Sequence, residues 1–224
     1  AGRRALLEVE AVQLLQAYGL SLPVTVLAPT RAELAAACER TGFPVVLKIS
    51  SPDVLHKTDV GGVELGLASI EAVEAAWDRV MQRVHAAAPG ADVRGATIQS
   101  MAAKGREVIM GAVRDARFGP LIMFGLGGIY AEALHDVVFR LAPLRPLSAE
   151  RMLEGIRGKA ILGPFRGAPP VDRQALTDSL QRLSQLMLEF PVIEELDMNP
   201  VMAYVDGVCV VDARVVLRDE QGPT

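Results

Sequence analysis

Aromatic residues make up only 4% of the 224 residues, with a single tryptophan. That scarcity argues against the stacking platforms on which proteins hold single-stranded nucleic acid. The net charge of −4 gives no general attraction to nucleic acid or to anionic membranes. Cysteine is nearly absent. Cys38 and Cys209 fall in a helix-like and a strand-like segment, which fits buried thiols in a reducing compartment and excludes a disulfide framework. Long apolar runs are missing too. The longest charge-free stretch, Phe118 to Ala131, is glycine-rich and too short to span a bilayer. A cytoplasmic protein without membrane or nucleic-acid partners is expected. The chain opens Ala1-Gly2-Arg3-Arg4, with no apolar signal region and no initiator methionine, which suggests a processed product or a fragment of a longer polypeptide.

The common phosphate loops are also lacking. Gly158-Lys159 continues to Ala160 without the glycine spacing of a Walker loop, and Gly125-Leu126-Gly127 continues Gly128-Ile129-Tyr130, which is no dinucleotide fingerprint. A phosphate site here must be built from other parts.

Half of the residues are hydrophobic, enough for a sizeable core. The apolar spacing alternates between helix and strand periods. Helices are predicted from Glu8 to Tyr18 with Gly19 as C-cap, after the capping box Thr30-Arg31-Ala32-Glu33 to Thr41-Gly42, from Ser69 to Ala88, and after the N-caps Ser148 and Asp172. Strands are predicted at Val24–Leu27, Pro44–Ile49, Val63–Leu67, Ala96–Met101, Glu107–Val113 and Val137–Leu141, followed by a final hairpin about Asp206-Gly207. Pro89 to Gly95 reads as the boundary between two mixed lobes, each a sheet with helices: residues 1–95 and 96–218, with a tail at 219–224.

The most informative stretch runs from Val45 to Val63. Lys48 sits in an apolar run that reads as a buried strand. Burying an ammonium costs several kcal/mol unless an anion meets it. Either a phosphate meets Lys48, or the lysine lies at a strand end and reaches to water. The loop that follows carries His56, Lys57 and Asp59 and closes on Gly61-Gly62. A loop histidine is ordinarily just solvated; beside phosphate it is a nucleophile. His85 and His135 lack such neighbours and read as structural.

The hairpin supports a geometric expectation. With Asp206-Gly207 as a two-residue loop, Val205 faces Val208 and Val201 faces Asp212. Asp197 and Asn199 then share a face with Val201, so Asn199 and Asp212 are diagonal neighbours at about 7–8 Å. Two oxygen donors there suit magnesium, which completes its shell with water and phosphate. They also suit an ordinary solvated face, and Pro200 warns of an irregular register.

These residues resemble the ATP-grasp domain, or beta subunit, of ADP-forming acyl-CoA synthetases, relatives of succinyl-CoA synthetase. The resemblance runs from about Leu6 to Leu217. Its markers are Glu10 through Tyr18-Gly19-Leu20, Val46-Leu47-Lys48-Ile49, His56-Lys57-Thr58-Asp59-Val60-Gly61-Gly62-Val63, Phe124-Gly125-Leu126-Gly127-Gly128, Leu141-Ala142-Pro143-Leu144 and Glu195-Leu196-Asp197-Met198-Asn199-Pro200. The histidine loop and the Asp-x-Asn-Pro segment are the specific ones.

The resemblance implies an α+β ATP-grasp fold of two mixed lobes with nucleotide between them. By it, Lys48 matches the lysine on the nucleotide phosphates. Gln99, Ser100 and Met101 match the hinge whose backbone meets adenine. Glu107 matches the acid on the ribose hydroxyls, or is a plain edge glutamate. Gly127 and Gly128 match the glycine-rich flap. Asn199 and Asp212 match the Mg2+ ligands, and His56 matches the histidine phosphorylated transiently. Asp197 matches the acid that steadies the phosphohistidine, or stands as a third residue of the metal shell.

The implied reaction interconverts acyl-CoA, ADP and phosphate with acid, CoA and ATP, in company with a CoA-binding partner module. A second reading is a non-catalytic or regulatory ATP-grasp domain of a protein lysine acetyltransferase. A third is a carboxylate–amine ligase without a phosphohistidine, which the His56–Asp197 pair disfavours.

Overall fold

The computed structural model describes residues 4–54, 56–128 and 136–218. His135 and the expected tail at 219–224 lie outside the described residues. The chain divides into two compact units. The lysine unit comprises Ala5–Gln13 and Pro23–Ala102; the hairpin unit comprises Ala1–Arg4, Leu14–Leu22 and Ala103–Thr224.

The lysine unit holds a four-stranded antiparallel sheet of β1 (Thr25–Ala28), β2 (Val45–Ile49), β3 (Val63–Leu67) and β4 (Ala96–Ser100), in the order β1-β4-β2-β3. Against it lie α2 (Leu34–Thr41) and α3 (Ile70–Ala87). The first part of α1 (Glu8–Ala17) belongs to this unit as well. Every residue of β2 is buried, Lys48 included, as its place between two neighbouring strands requires. Leu47, Ile49 and Ile98 meet Val73, Ala76 and Val80 of α3 in one core.

β4 was expected in the second lobe. It pairs instead with β1 on one side and β2 on the other: Thr97 lies opposite Leu27 and Lys48, and Ile98 opposite Val26 and Leu47. Ser69 caps α3 as expected, accepting from the Ala72 N–H at 3.3 Å. The Thr30 box behaves differently. Its hydroxyl donates to the Glu33 carboxylate at 2.9 Å rather than capping a backbone amide, and a 3-10 turn at Arg31–Glu33 precedes α2.

The hairpin unit holds a six-stranded antiparallel sheet. Its strands are β5 (Arg106–Asp115), β6 (Gly119–Leu126), β7 (Val137–Leu141), β8 (Ile193–Tyr204), β9 (Gly207–Val210) and β10 (Ala213–Leu217). The order is β10-β8-β5-β6-β7, with β9 also on β8. Helices α4 (Pro146–Gly155) and α5 (Arg173–Glu189) pack on each other and on this sheet. α5 buries Leu176, Leu180, Leu183, Leu186 and Met187 at helical spacing, and Asp172 caps it through the Ala175 N–H at 2.9 Å.

Two sequence expectations fail in this unit. Ser148 does not cap α4. That helix starts earlier, at Pro146, whose fixed φ suits a first helical position, with Arg145 as N-cap. And β6 runs through Phe124-Gly125-Leu126, so only Gly127 and Gly128 of the expected flap lie beyond the strand.

Gly95 shows how tightly β4 is set. Its φ is +111°, and a Cβ there would fall 2.2 Å from the Ala28 carbonyl oxygen. Its own carbonyl accepts from the Ser50 N–H at 2.9 Å. Gly95→Ala should therefore destabilise the protein by more than about 1 kcal/mol, well beyond an ordinary surface change. Urea unfolding checks this; a midpoint equal to that of the parent would contradict it.

Candidate functional site

Each unit carries part of the expected site. In the lysine unit, Lys48 is buried in β2, 5% exposed. The anion it meets is a carboxylate that sequence reasoning missed. Glu8, at the start of α1 and 6% exposed, accepts from Lys48 Nζ through Oε1 at 2.8 Å. Its Oε2 accepts from Lys57 Nζ at 2.8 Å and from the Thr97 hydroxyl at 3.1 Å. One buried carboxylate thus serves two ammonium groups. The signal in the sequence was weak: Glu8 stands among Leu6, Leu7 and Val9 and reads as an ordinary acid in a first helical turn.

The electrostatics follow from this geometry. Burial alone would raise the Glu8 pKa, but the Lys48 and Lys57 ammoniums outweigh it and bring the pKa down to about 2. A carboxylate depressed in the folded state contributes stability above its unfolded pKa and loses it as pH falls towards the folded value. The window here runs from 4.5 down to about 2.

His56 is exposed and directly precedes a compact turn. Within that turn the Gly61 N–H donates to Thr58 O at 3.0 Å and the Gly62 N–H to Lys57 O at 2.7 Å. Gly62 O accepts from the Ile49 N–H at 2.8 Å, fixing the base of the loop to β2. A Cβ on Gly62 would fall 2.6 Å from Ile49 Cγ2, so glycine is required there for close approach. His85 lies exposed on α3.

The residues expected at the hinge belong to the sheet of the lysine unit. Gln99 is buried in β4 between Thr25 and Val46, and its Nε2 donates to Thr25 Oγ1 at 3.1 Å. The Ser100 N–H donates to Val24 O at 3.0 Å and the Met101 N–H to Pro44 O at 3.2 Å. Those two donors are therefore engaged within the sheet and are not presented to a base.

In the hairpin unit, Glu107 is exposed on β5. The Gly127 N–H donates to its carbonyl at 2.9 Å. A Cβ on Gly127 would lie 3.0 Å from Glu107 Cβ, and one on Gly128, whose φ is +62°, would lie 2.6 Å from Glu107 Oε2. The two glycines thus allow the chain to cross directly over Glu107, so these three expected residues are neighbours.

The hairpin register differs from expectation. The loop is Val205-Asp206, with Tyr204 opposite Gly207 and Val201 opposite Val210. Val108 and Met110 on β5 face Val201 and Met198, so Asn199 and Pro200 together oppose one residue. This is a bulge, at a proline that has no N–H to donate. The alternation slips there. Val201 turns into the core, while Asp197 and Asn199 remain on the less buried side. With the turn at Val205-Asp206, the backbone of Asn199 lies opposite that of Asp212, its N–H donating to Asp212 O at 3.1 Å. Asp197 lies two residues away on β8, opposite Arg214 on β10 and Gly111 on β5.

Asn199, exposed, and Asp212, half-buried, carry hard oxygen donors on paired backbone positions; Asp212 Oδ1 also accepts from the Ala213 N–H at 3.1 Å. Such a pair fits magnesium, which binds few protein ligands and keeps water and phosphate. Among the described residues there is no cluster of three or more His, Cys, Asp or Glu side chains of the kind a softer or fully caged metal requires.

The ATP-grasp domain profile matches residues 1–217. The chain belongs to the ATP-grasp domain family. Its fold is accordingly the α+β ATP-grasp fold. The chain is 42% identical over 217 residues to "Acetate--CoA ligase [ADP-forming] I subunit beta" of Pyrococcus furiosus, covering 97% of this chain and 94% of that one. It is 41% identical to "Acetate--CoA ligase [ADP-forming] I" of Archaeoglobus fulgidus, a longer protein of which it covers 31%.

Among solved structures it resembles the dinucleotide-forming acetyl-coenzyme A synthetase 1 of Ca. Korarchaeum cryptofilum. In complex with coenzyme A and Ca-AMPCP, that structure gives a TM-score of 0.94 at 44% identity, covering 97% of this chain and 95% of that one. The same enzyme has been solved with Mg-AMPPCP and its phosphohistidine segment pointing towards the nucleotide binding site (TM-score 0.84, 41% identity, covering 97% and 94%). It has also been solved with that segment phosphorylated and in the site I orientation (TM-score 0.89, 42% identity, covering 97% and 95%). These relatives lend no support to an acetyltransferase reading.

Among the described residues no helix is long and apolar enough to cross a membrane. Cys38 is buried and Cys209 half-buried, both as free thiols whose pKa burial raises.

The paired lysines generate a prediction about acid. Acidification from neutral pH to about pH 2 should cost the parent about 3 kcal/mol more stability than Glu8→Gln, because the variant has no carboxylate to protonate. Urea unfolding across that range measures the difference; parallel curves for the two proteins would contradict it.

Proposed function

We propose that the chain is the nucleotide-handling part of an ADP-forming acyl-CoA ligase, moving a phosphoryl group between ATP or ADP and a CoA-binding partner module through His56. The observation that carries this reading is the arrangement in the lysine unit. The exposed loop histidine is followed at once by Lys57, which shares the Glu8 carboxylate with the buried strand lysine, Lys48. The loop that carries the nucleophile and the strand ammonium assigned to phosphate are thus tied to one carboxylate. The kinship with acetate–CoA ligase beta subunits, at 42% identity over nearly the whole chain, supports it.

The chemistry balances in the direction that makes ATP. Acyl-CoA and phosphate give acyl phosphate and CoA on the partner. A histidine there takes the phosphoryl group, breaking the phosphorus–oxygen bond and releasing the carboxylic acid as its carboxylate, and passes it on to His56. A terminal oxygen of the ADP β-phosphate finally takes it from His56, breaking the phosphorus–nitrogen bond and restoring neutral imidazole. In reverse, a ring nitrogen of His56 attacks the γ-phosphorus of ATP and ADP leaves.

The remaining residues take supporting roles on this reading. Lys48 holds phosphate as a point charge. Glu107 meets the ribose hydroxyls, beneath the backbone of Gly127 and Gly128. Asp197 is assigned the catalytic-acid role, a carboxylate of the kind that fixes an imidazole tautomer and steadies its phosphorylated form. Asn199 and Asp212 hold Mg2+, which neutralises phosphate charge. Adenine is met by carbonyls near Gln99, Ser100 and Met101 rather than by the N–H groups of Ser100 and Met101. The CoA and acyl sites belong to the partner, separate or fused as in the longer archaeal relative. The reaction is placed in the cytoplasm, where the nucleotides are.

With Mg-ATP and the CoA-binding partner, His56 should acquire an acid-labile, base-stable phosphoryl group, located by intact mass and peptide mapping. Equal labelling of His56→Ala would overturn the shuttle.

The metal assignment is tested separately. Asp212→Ala should weaken magnesium-dependent nucleotide binding by at least about tenfold, the lower end of what even outer-shell partners of a metal contribute. Calorimetry across a magnesium titration reads this, and unchanged affinity removes the assignment.

A further inference from the structure

The Glu8 carboxylate does more than neutralise Lys48. Its two ammonium partners differ in burial: the Lys48 side chain is 6% exposed and the Lys57 side chain 17%, against 2% for Glu8. Lys48 is built into β2, with its backbone paired to Thr97 and Val63, and cannot leave without tearing the sheet. Lys57 belongs to the loop. Its carbonyl closes the turn through Gly62, and its ammonium ties the loop to the rest of the unit one residue from His56.

The asymmetry has a physical consequence. A carboxylate held by one lysine would be stranded in the interior when that lysine moved away, which is strongly unfavourable. Glu8 keeps Lys48 at 2.8 Å and the Thr97 hydroxyl at 3.1 Å after Lys57 departs. Lys57 in turn regains water as it leaves. The Lys57 contact can therefore open and close at modest cost, while the Lys48 contact stays.

We propose that Glu8 is a positioning residue for the histidine loop: held by Lys48, its carboxylate docks the loop through Lys57 and lets it go without being left unpaired. This deepens the proposed function and rests on it, since a loop that carries phosphate between two sites must be both held and releasable. The two orientations of the phosphohistidine segment solved in the Korarchaeum relative are the kind of motion it would govern there. Docked, the loop is tied through Glu8 to Lys48, the lysine to which the proposed function assigns nucleotide phosphate.

Hydrogen exchange on the full chain tests the anchor without needing activity. Amides of residues 51–62 should exchange about tenfold faster in Lys57→Met and in Glu8→Gln, as a local opening no longer held. Residues 96–100 should change by less than about twofold in Lys57→Met, and Lys57→Arg should restore protection of the loop. Lys57 is partly exposed, so its variant gives the result even where Glu8→Gln does not fold. Parent-like exchange in Lys57→Met would overturn the anchor.

A second readout is the rate at which His56 is phosphorylated by Mg-ATP with the partner present. In Lys57→Met it should fall while ADP affinity stays within about twofold, the split expected when a reacting group is misplaced rather than a ligand lost. A parental rate would overturn the anchor. If the parent itself takes no label, the proposed function falls, while the exchange result still decides the anchor.

Discussion

A single buried carboxylate sets the terms for the lysine unit. β2 is closed in by β3 and β4, and a lysine in its middle could not stay charged there without a counter-ion. Glu8 supplies it from the first turn of α1, far away in sequence. The Thr97 hydroxyl, on the strand next to Lys48, completes the arrangement. Removing the acid would leave two ammoniums facing each other in the interior; removing one lysine would leave the other. The group is thus a unit of three charges that tolerates the movement of only its most exposed member.

The hairpin unit solves a different problem, that of placing oxygen atoms on one rim. A turn at Asp206-Gly207 would have set Asn199 and Asp212 diagonally; the turn at Val205-Asp206 sets their backbones opposite each other. The bulge at Asn199-Pro200, on the side of β5, turns Val201 into the core, so the strand remains anchored on both sides of the irregularity. On the neighbouring strands, glycines at 127 and 128 allow the backbone to pass within contact of Glu107. Both devices use backbone geometry to locate side chains, and neither depends on a dedicated loop.

Much of this was legible in the sequence, for identifiable reasons. Lys48 stood out because a charge in an apolar strand demands an explanation. The histidine loop stood out because polar residues bounded by Gly61-Gly62 interrupt two strands. The cap at Asp172 and the helix it opens followed from local chemistry alone. What stayed hidden depended on distant contacts. Glu8 reads as a helix-start acid until the sheet brings Lys48 and Lys57 to it. The hairpin register was misplaced because Asp206-Gly207 carries a strong turn signal, whereas the turn settles one residue earlier, where Val201 can pair with Val210. β4 looked like the opening of a second lobe because Pro89 to Gly95 is a conspicuous break. That break instead returns the chain to the centre of the first sheet, where Gly95 packs against Ala28.

The central claim is that Lys48 is kept charged in a buried strand in order to hold nucleotide phosphate. Calorimetric binding of Mg-ADP to the chain and to Lys48→Met tests it most directly, with circular dichroism confirming that both are folded. The account predicts an affinity at least about tenfold weaker in the variant, a loss of 1.4 kcal/mol or more. Equal affinity in two folded proteins would contradict it.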